Sequence, residues 1–153
     1  MPYPAPSYDD QNVFAKILRA EMPCHRVYET ADVLSFMDIM PRAPGHALVI
    51  PKAPVRGLLD APGETLGILY QAVQIVGRAS RDAFNADGLT IQQFNEAAGG
   101  QIVFHMHVHV LPRHDGVKLD PPGTMADPDV LAGNAEKLRA ALTANGVDLG
   151  FSV

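Results

Sequence analysis

The chain offers little for covalent or metal cross-linking, because Cys24 is its only cysteine. One thiol can form neither an intramolecular disulfide nor a cluster of thiolate zinc ligands within a single chain. This cysteine usage is compatible with a reducing compartment, and we expect a cytoplasmic protein.

Long apolar runs and a positive net charge are also missing. No run approaches the roughly 20 apolar residues that a membrane helix needs, and residues 1–11 show no basic start followed by an apolar stretch. The net charge of −5 argues against a general nucleic-acid binder, which would concentrate Lys and Arg. We therefore expect no membrane or nucleic-acid partner, and only local affinity for phosphate.

What the chain does contain is the composition of one ordinary globular domain, with 47% apolar and 19% charged residues. Helical spacing of apolar residues predicts a short helix after Asn12, a long helix over residues 64–84 and a last helix after Asp127. Because the strand-like segments flank the long helix and do not alternate with helices, we expect an antiparallel α+β fold. These segments are residues 27–29, 33–38, 46–50, 89–94 and 102–111.

Three histidines occupy every second position at His105, His107 and His109. A lone histidine on a strand is most often a residue without chemistry, but strict alternation of three favours a shared role. On a strand, alternate side chains share one face, so the imidazoles would form a row. The residues of opposite parity are apolar and are expected to pack against a helix: Ile102, Phe104, Met106, Val108 and Val110.

A row of imidazoles suits catalysis on phosphorus. A central imidazole with one basic nitrogen can attack an electrophile, while its neighbours supply protons or positive charge. Attack by His107 through one nitrogen requires the other nitrogen to donate a hydrogen bond, for which a backbone carbonyl is the expected acceptor. The substrate would be a phosphate ester, anhydride or phosphoramidate.

A zinc site is the rival interpretation, since His-x-His on a strand can supply two ligands. Alternate residues on a strand lie about 6.6 Å apart and the outer two about 13 Å apart. Ligand nitrogens on one tetrahedral zinc lie within about 3.5 Å of each other. Two of the three could chelate with help from elsewhere, whereas all three on one ion would require a strong bend.

The sequence resembles the histidine triad (HIT) family, whose signature His-φ-His-φ-His-φ-φ, with φ apolar, is matched by residues 105–111. Further segments agree in order and spacing: NVFAKIL followed by a proline, SFMDIMPRAPGHALVIPK, QFNEAAGGQ, and PR directly after the triad. The resemblance covers residues 12–114.

This resemblance implies an α+β HIT-like fold: a five-stranded antiparallel sheet, one long helix and a short N-terminal helix, here followed by a C-terminal helical tail. It also implies a homodimer and no cofactor. We divide the chain into a flexible segment (1–11), the HIT domain (12–114), and a loop and helix (115–153) packed on the domain or on a dimer partner.

The resemblance further implies binding of purine nucleotides, and hydrolysis or transfer of a nucleoside monophosphate through a nucleotidyl-histidine intermediate. His107 would be the nucleophile. His109 would contact the α-phosphate and the bridging atom, His105 would support the nucleophile, and His46 would lie beside the triad.

Nucleotide-binding positions carry over from the same resemblance. Asp38 matches the residue that holds the ribose hydroxyls, which a carboxylate can do by accepting two hydrogen bonds. Backbone N–H groups of the adjacent glycines could approach an anion closely. The apolar walls around the base would be Phe14, Ile17, Phe36 and Ile39, and the phosphate site would include Asn95, Gly99, Gly100 and Gln101.

Two departures from the family pattern have consequences. Many bacterial relatives carry Cys-x-x-Cys for a structural zinc, where this chain has Asn12 and Ala15, so we predict no structural zinc. Some relatives carry Ser or Thr after the Gln101 position, where Ile102 can offer no hydroxyl to phosphate. The alternative function is therefore a nucleotide-binding regulator or scaffold with little turnover.

Overall fold

A computed structural model describes residue 4 and residues 6–153 of the chain. The segment expected to be flexible, residues 1–11, lies partly outside the described residues, at positions 1–3 and 5. The elements are α1 (Val13–Leu18), β1 (Arg26–Glu29), β2 (Val33–Met37), β3 (Ala47–Pro51), α2 (Gly63–Ala83), β4 (Gly88–Gln92), β5 (Val108–Arg113) and α3 (Pro128–Ala144), with a 3₁₀ turn at Ala97–Gly99.

The strands form one five-stranded antiparallel sheet in the order β1-β2-β3-β5-β4. The expected α+β fold with a five-stranded antiparallel sheet and a long helix is therefore confirmed. Because β5 lies between β3 and β4, the second half of the histidine motif occupies an interior strand of the sheet.

Helix starts follow the capping residues seen in the sequence. The Asn12 side chain accepts a hydrogen bond from the N–H of Ala15, and the Asp127 side chain accepts one from the N–H of Asp129. Helix α3 packs against α2 and β1. Among the described residues, no helix is both long and apolar enough to cross a bilayer.

The two faces of the sheet bury different clusters. Helices α2 and α3 cover one face, where Val49, Val108 and Val110 join the larger core. Helix α1 covers part of the other face, where Phe14 packs with apolar residues of β2 and β3. Directly opposed side chains of neighbouring strands share a face. Since Leu48 of this second cluster is paired with His109, that imidazole lies on the α1 side.

The strand expected over residues 102–111 is corrected by the structure, because β5 begins only at Val108 and residues 101–107 are irregular. Continuing the β3–β5 register beyond the Val49–Val108 pair would place Met106 opposite Pro51. Proline has no backbone N–H, so the ladder cannot continue there. Only His109 of the three lies on a strand.

The alternation expected of the neighbouring apolar residues therefore holds only in part. Met106, Val108 and Val110 are fully buried, as expected. Ile102 is instead 83% exposed, and Phe104 lies half-buried beneath the guanidinium of Arg56, 4.2 Å from the ring centroid. Once the chain leaves the pleat, the side-chain period of two no longer applies.

Candidate active site

Three imidazoles meet beside the start of β5, and a fourth histidine adjoins them through its backbone carbonyl. We call His46, His105, His107 and His109 the histidine cluster. The ring centroids of His46 and His109 are 5.1 Å apart, as are those of His107 and His109. His46 precedes β3, so the pairing of β3 with β5 brings it beside His109. The structure thus brings together the four residues that the sequence marked as catalytic.

The proton on His107 is placed by a carbonyl group. Nδ1 of His107 lies 2.6 Å from the backbone oxygen of His105, and a carbonyl can only accept. Nδ1 therefore carries the hydrogen, which leaves the lone pair on Nε2. Burial lowers the pKa of His107, partly offset by this hydrogen bond, so the ring is neutral at pH 7. The expected backbone carbonyl partner is confirmed.

A backbone amide determines which nitrogens of His46 and His109 carry protons. The N–H of Arg42 donates to Nδ1 of His46 at 3.1 Å, so the hydrogen of the neutral ring is on Nε2. That Nε2 lies 2.9 Å from Nδ1 of His109 and donates to it. The remaining hydrogen of His109 is therefore on its own Nε2, where it can act as a donor.

Burial keeps both of these rings neutral. It lowers the pKa of His46 to about 4, with further contributions from Arg42 and His107. It lowers the pKa of His109 to about 3, with contributions from His107, His46 and Arg42. Neither ring carries a charge at neutral pH in the free protein.

Asp38 lies beside the same pair of imidazoles. Its Oδ2 is 3.4 Å from Nε2 of His46 and 3.9 Å from Nδ1 of His109. Its Oδ1 accepts a hydrogen bond from the N–H of Met40 at 2.8 Å. Burial raises the pKa of Asp38, which that hydrogen bond partly opposes.

Asp38, His46 and His109 offer ligand atoms within 4.8 Å of one another, a spacing that could hold a metal ion. The hydrogen-bond directions oppose that use. A metal-bound histidine normally donates its other ring N–H to an acceptor. Here the Nδ1 of His46 accepts from a backbone N–H, so binding a metal through Nε2 would require a ring with no proton at all. The geometry favours a proton-sharing pair over a metal centre.

The expected apolar walls lie on the α1 side of the sheet. Phe14 is buried with its ring centroid 4.9 Å from that of His107 and 5.4 Å from that of Phe36. Ile17 packs partly buried against the same cluster, and Ile39 is 46% exposed directly after Asp38. A broad groove beside α1 is lined by Ile17 but by none of the histidine cluster.

The backbone N–H groups of the loop after β4, which were expected to face an anion, are bonded within the loop in this structure. The N–H groups of Gly99 and Gln101 both donate to the carbonyl of Glu96, and that of Gly100 donates to Ala97. These donors are already engaged within the loop. An anion could use them only by replacing those hydrogen bonds.

The side chains of Asn95 and Gln101 are also bonded to neighbouring protein groups. The amide nitrogen of Gln101 donates to the carbonyls of Arg56 and Val103, and its oxygen accepts from the N–H of Glu96. The side-chain oxygen of Asn95 accepts from the N–H of Leu58. Both residues fix the loop, which reaches the histidine cluster through the Phe94 ring, 5.5 Å from that of His109.

Sequence reasoning missed three residues that set the histidine protons. Arg42 and Pro51 fix these proton positions through backbone groups, for which side-chain chemistry gives no signal. Tyr8 was placed in the segment expected to be flexible, yet its hydroxyl lies 2.5 Å from Nδ1 of His105. That contact joins residues 97 positions apart, so no local pattern marks it.

Comparison with known proteins supports the assignment that the geometry suggests. The HIT domain family profile matches residues 19–116. A Hit-like protein involved in cell-cycle regulation from Bartonella henselae, solved with an unknown ligand, is 52% identical, with a TM-score of 0.84 over 88% of this chain and 99% of that one. A zinc-bound histidine triad protein from Mycobacterium smegmatis is 38% identical, with a TM-score of 0.80 over 89% and 96%.

Adenylylsulfatase HINT3 from Arabidopsis thaliana is 35% identical over 103 residues, which are 67% of this chain and 52% of that protein. This chain therefore belongs to the histidine triad family. With Cys24 as its single cysteine, it has no Cys-x-x-Cys pair. Asn12 and Ala15, at the corresponding places, supply a helix cap and a buried methyl group.

Proposed function

We propose that the protein hydrolyses or transfers a nucleoside monophosphate from purine nucleotide phosphoramidates or dinucleoside polyphosphates, through a nucleotidyl-histidine intermediate on His107. The supporting observation is the hydrogen bond from Nδ1 of His107 to the carbonyl of His105, which leaves Nε2 with its lone pair. A relative named as an adenylylsulfatase also supports a reaction on an adenylyl compound.

In the first step, Nε2 of His107 forms a bond to the α-phosphorus while the bond to the leaving group breaks. The leaving group departs with the bonding electron pair and takes up a proton. A phosphate anion beside His109 favours protonation of its Nδ1, and the Nε2–H of His46 can then donate to Oδ2 of Asp38, 3.4 Å away. The doubly protonated His109 supplies the proton to the leaving group from its Nε2.

In the second step, water adds to the phosphorus and the phosphorus–nitrogen bond breaks. The electron pair returns to Nε2 of His107, and the proton of water returns to the His46–His109 pair. Each step avoids direct attack of water on the starting substrate. We also propose that Asp38 holds the ribose and that Phe14, Ile17, Phe36 and Ile39 line the base site.

The test is the rate of adenylate release from adenosine phosphoramidate and from diadenosine polyphosphates. We expect His107→Ala to lower kcat by at least about a thousandfold, because no other group can form the covalent intermediate. His25→Ala is the matched control, since His25 lies before β1 and outside the histidine cluster. Equal background rates for the wild type and His107→Ala would refute the proposed enzymatic activity.

Ile102 favours a second candidate function, nucleotide binding with little turnover. It is 83% exposed beside the loop of Gln101 and offers no hydroxyl to a phosphate. In that case calorimetry would detect a purine monophosphate bound to the wild type while the same preparation releases no adenylate. If the wild type only binds nucleotide, Ile102→Ser should raise turnover. If the wild type is already an efficient enzyme, the same substitution should change turnover little.

We also propose a homodimer. Among the described residues β4 is an edge strand of the sheet, and its outer edge can accept another strand. Ile91 on this edge is 43% exposed. Light scattering should give twice the mass of one chain, and Ile91→Lys should shift the protein toward monomer. A wild type that is monomeric at micromolar concentration would contradict this.

A further inference from the structure

His105 holds an irregular stretch of backbone in place. Residues 101–107 lie outside the sheet, and the N–H of Met106 donates to the carbonyl of Val55. The His105 side chain is fully buried and bonded at both nitrogens, with Nε2 2.7 Å from the carbonyl of Pro51 and Nδ1 2.5 Å from the hydroxyl of Tyr8. This imidazole therefore anchors the stretch where a strand ladder would otherwise do so.

The direction of each hydrogen bond can be assigned. The Pro51 carbonyl can only accept, so Nε2 of His105 carries the hydrogen and Nδ1 must accept. The Tyr8 hydroxyl therefore donates to His105, and its oxygen accepts from the side-chain nitrogen of Asn12 at 3.0 Å. The other atom of the Asn12 amide, its oxygen, accepts from the N–H of Ala15, which fixes the amide orientation.

The same histidine carries the carbonyl that orients His107, at 2.6 Å from its Nδ1. Side-chain and backbone contacts of His105 are therefore coupled: the ring is held by Tyr8, and the carbonyl holds the nucleophile. The geometry points to Tyr8 as a positioning residue, which acts through His105 to keep the Nδ1–H of His107 bonded and its Nε2 free of a proton. Its effect on turnover rests on the proposed function.

Tyr8→Phe removes only the hydroxyl. We expect kcat to fall about tenfold with KM within about twofold, the size of effect that one lost hydrogen bond to a buried acceptor produces. Tyr70→Phe is the matched control, because Tyr70 lies on α2 and is 40% exposed. It should leave kcat unchanged, so a loss confined to Tyr8→Phe is not a general effect of removing a phenol.

Asn12→Asp provides a second variant in case Tyr8→Phe folds poorly. A carboxylate keeps the helix cap but loses the N–H donor, and it competes with His105 for the hydroxyl proton of Tyr8. We expect the same loss of kcat. Asp127→Asn, which makes the reverse exchange at the cap of α3, is its control.

A second measurement needs no substrate. NMR can follow the rate at which the Nδ1 proton of His107 exchanges with water. We expect exchange at least about fivefold faster in Tyr8→Phe than in wild type or Tyr70→Phe. Unchanged exchange in both Tyr8→Phe and Asn12→Asp would overturn the inference. If no nucleotide is turned over by the wild type, the proposed function fails and the exchange rates alone decide the role of Tyr8.

Discussion

The chemistry of the four imidazoles is determined by which nitrogen of each ring carries its proton. Each proton position follows from a backbone group that can only donate or only accept a hydrogen bond. These groups are the N–H of Arg42 and the carbonyls of Pro51 and His105. Alternate spacing in the sequence marked three of these histidines, and the family resemblance added His46. Neither could assign these partners, because backbone groups are the same in every residue and tertiary contacts decide which ones meet.

His46 gives the sharpest residue-scale prediction. His46→Ala removes the donor to Nδ1 of His109, and we expect kcat to fall about tenfold or more because His109 loses its fixed tautomer. His46→Gln retains an N–H that can reach the same nitrogen and should recover part of the rate. Steady-state kinetics on both variants check this, and equal rates for Ala and Gln would contradict a donor role.

At the scale of elements, periodicity and caps predicted the helices and most strands. Asn12 and Asp127 cap α1 and α3 as expected. The predicted start of β5 was wrong because the neighbouring strand limits β5: Pro51 of β3 has no N–H to donate to the ladder. Nothing within residues 102–111 indicates this constraint.

The loop of residues 95–101 gives an element-scale prediction. Gly100 has a φ of +99°, and a Cβ there would lie 3.3 Å from the Phe94 ring. Gly100→Ala should lower the free energy of unfolding by about 1–2 kcal/mol, because the residue would be strained in that conformation. Gly99→Ala is the control, since a Cβ at that position would meet no other atom within 4 Å. Urea unfolding that gives equal stabilities for the two variants would contradict this interpretation.

At the scale of the whole molecule, burying neutral histidines couples the fold to pH. Burial lowers the pKa of His46 and His105 to about 4 and that of His109 to about 3, against about 6.5 in an unfolded chain. Between these values only the unfolded chain binds the protons. Full stability is therefore present above pH 6.5 or so and is lost as the pH falls toward 4.

The fall in the free energy of unfolding with decreasing pH can be measured. Each such histidine contributes up to about 1.4 kcal/mol per pH unit to the fall in unfolding free energy. Denaturant unfolding at several pH values between 7 and 4 should show this decline, and His46→Gln should make it shallower, because one buried ring fewer then gains a proton on unfolding. A free energy of unfolding that is constant over this range would contradict the burial of neutral rings.

Attack of Nε2 of His107 on phosphorus can be tested by mass spectrometry of enzyme quenched during turnover of adenosine phosphoramidate. Proteolysis would then locate any adduct. We expect one adenylyl group per chain on the peptide that carries His107, and none in His107→Ala. An adduct on another residue, or turnover by the wild type with no covalent adduct at any quench time, would contradict it.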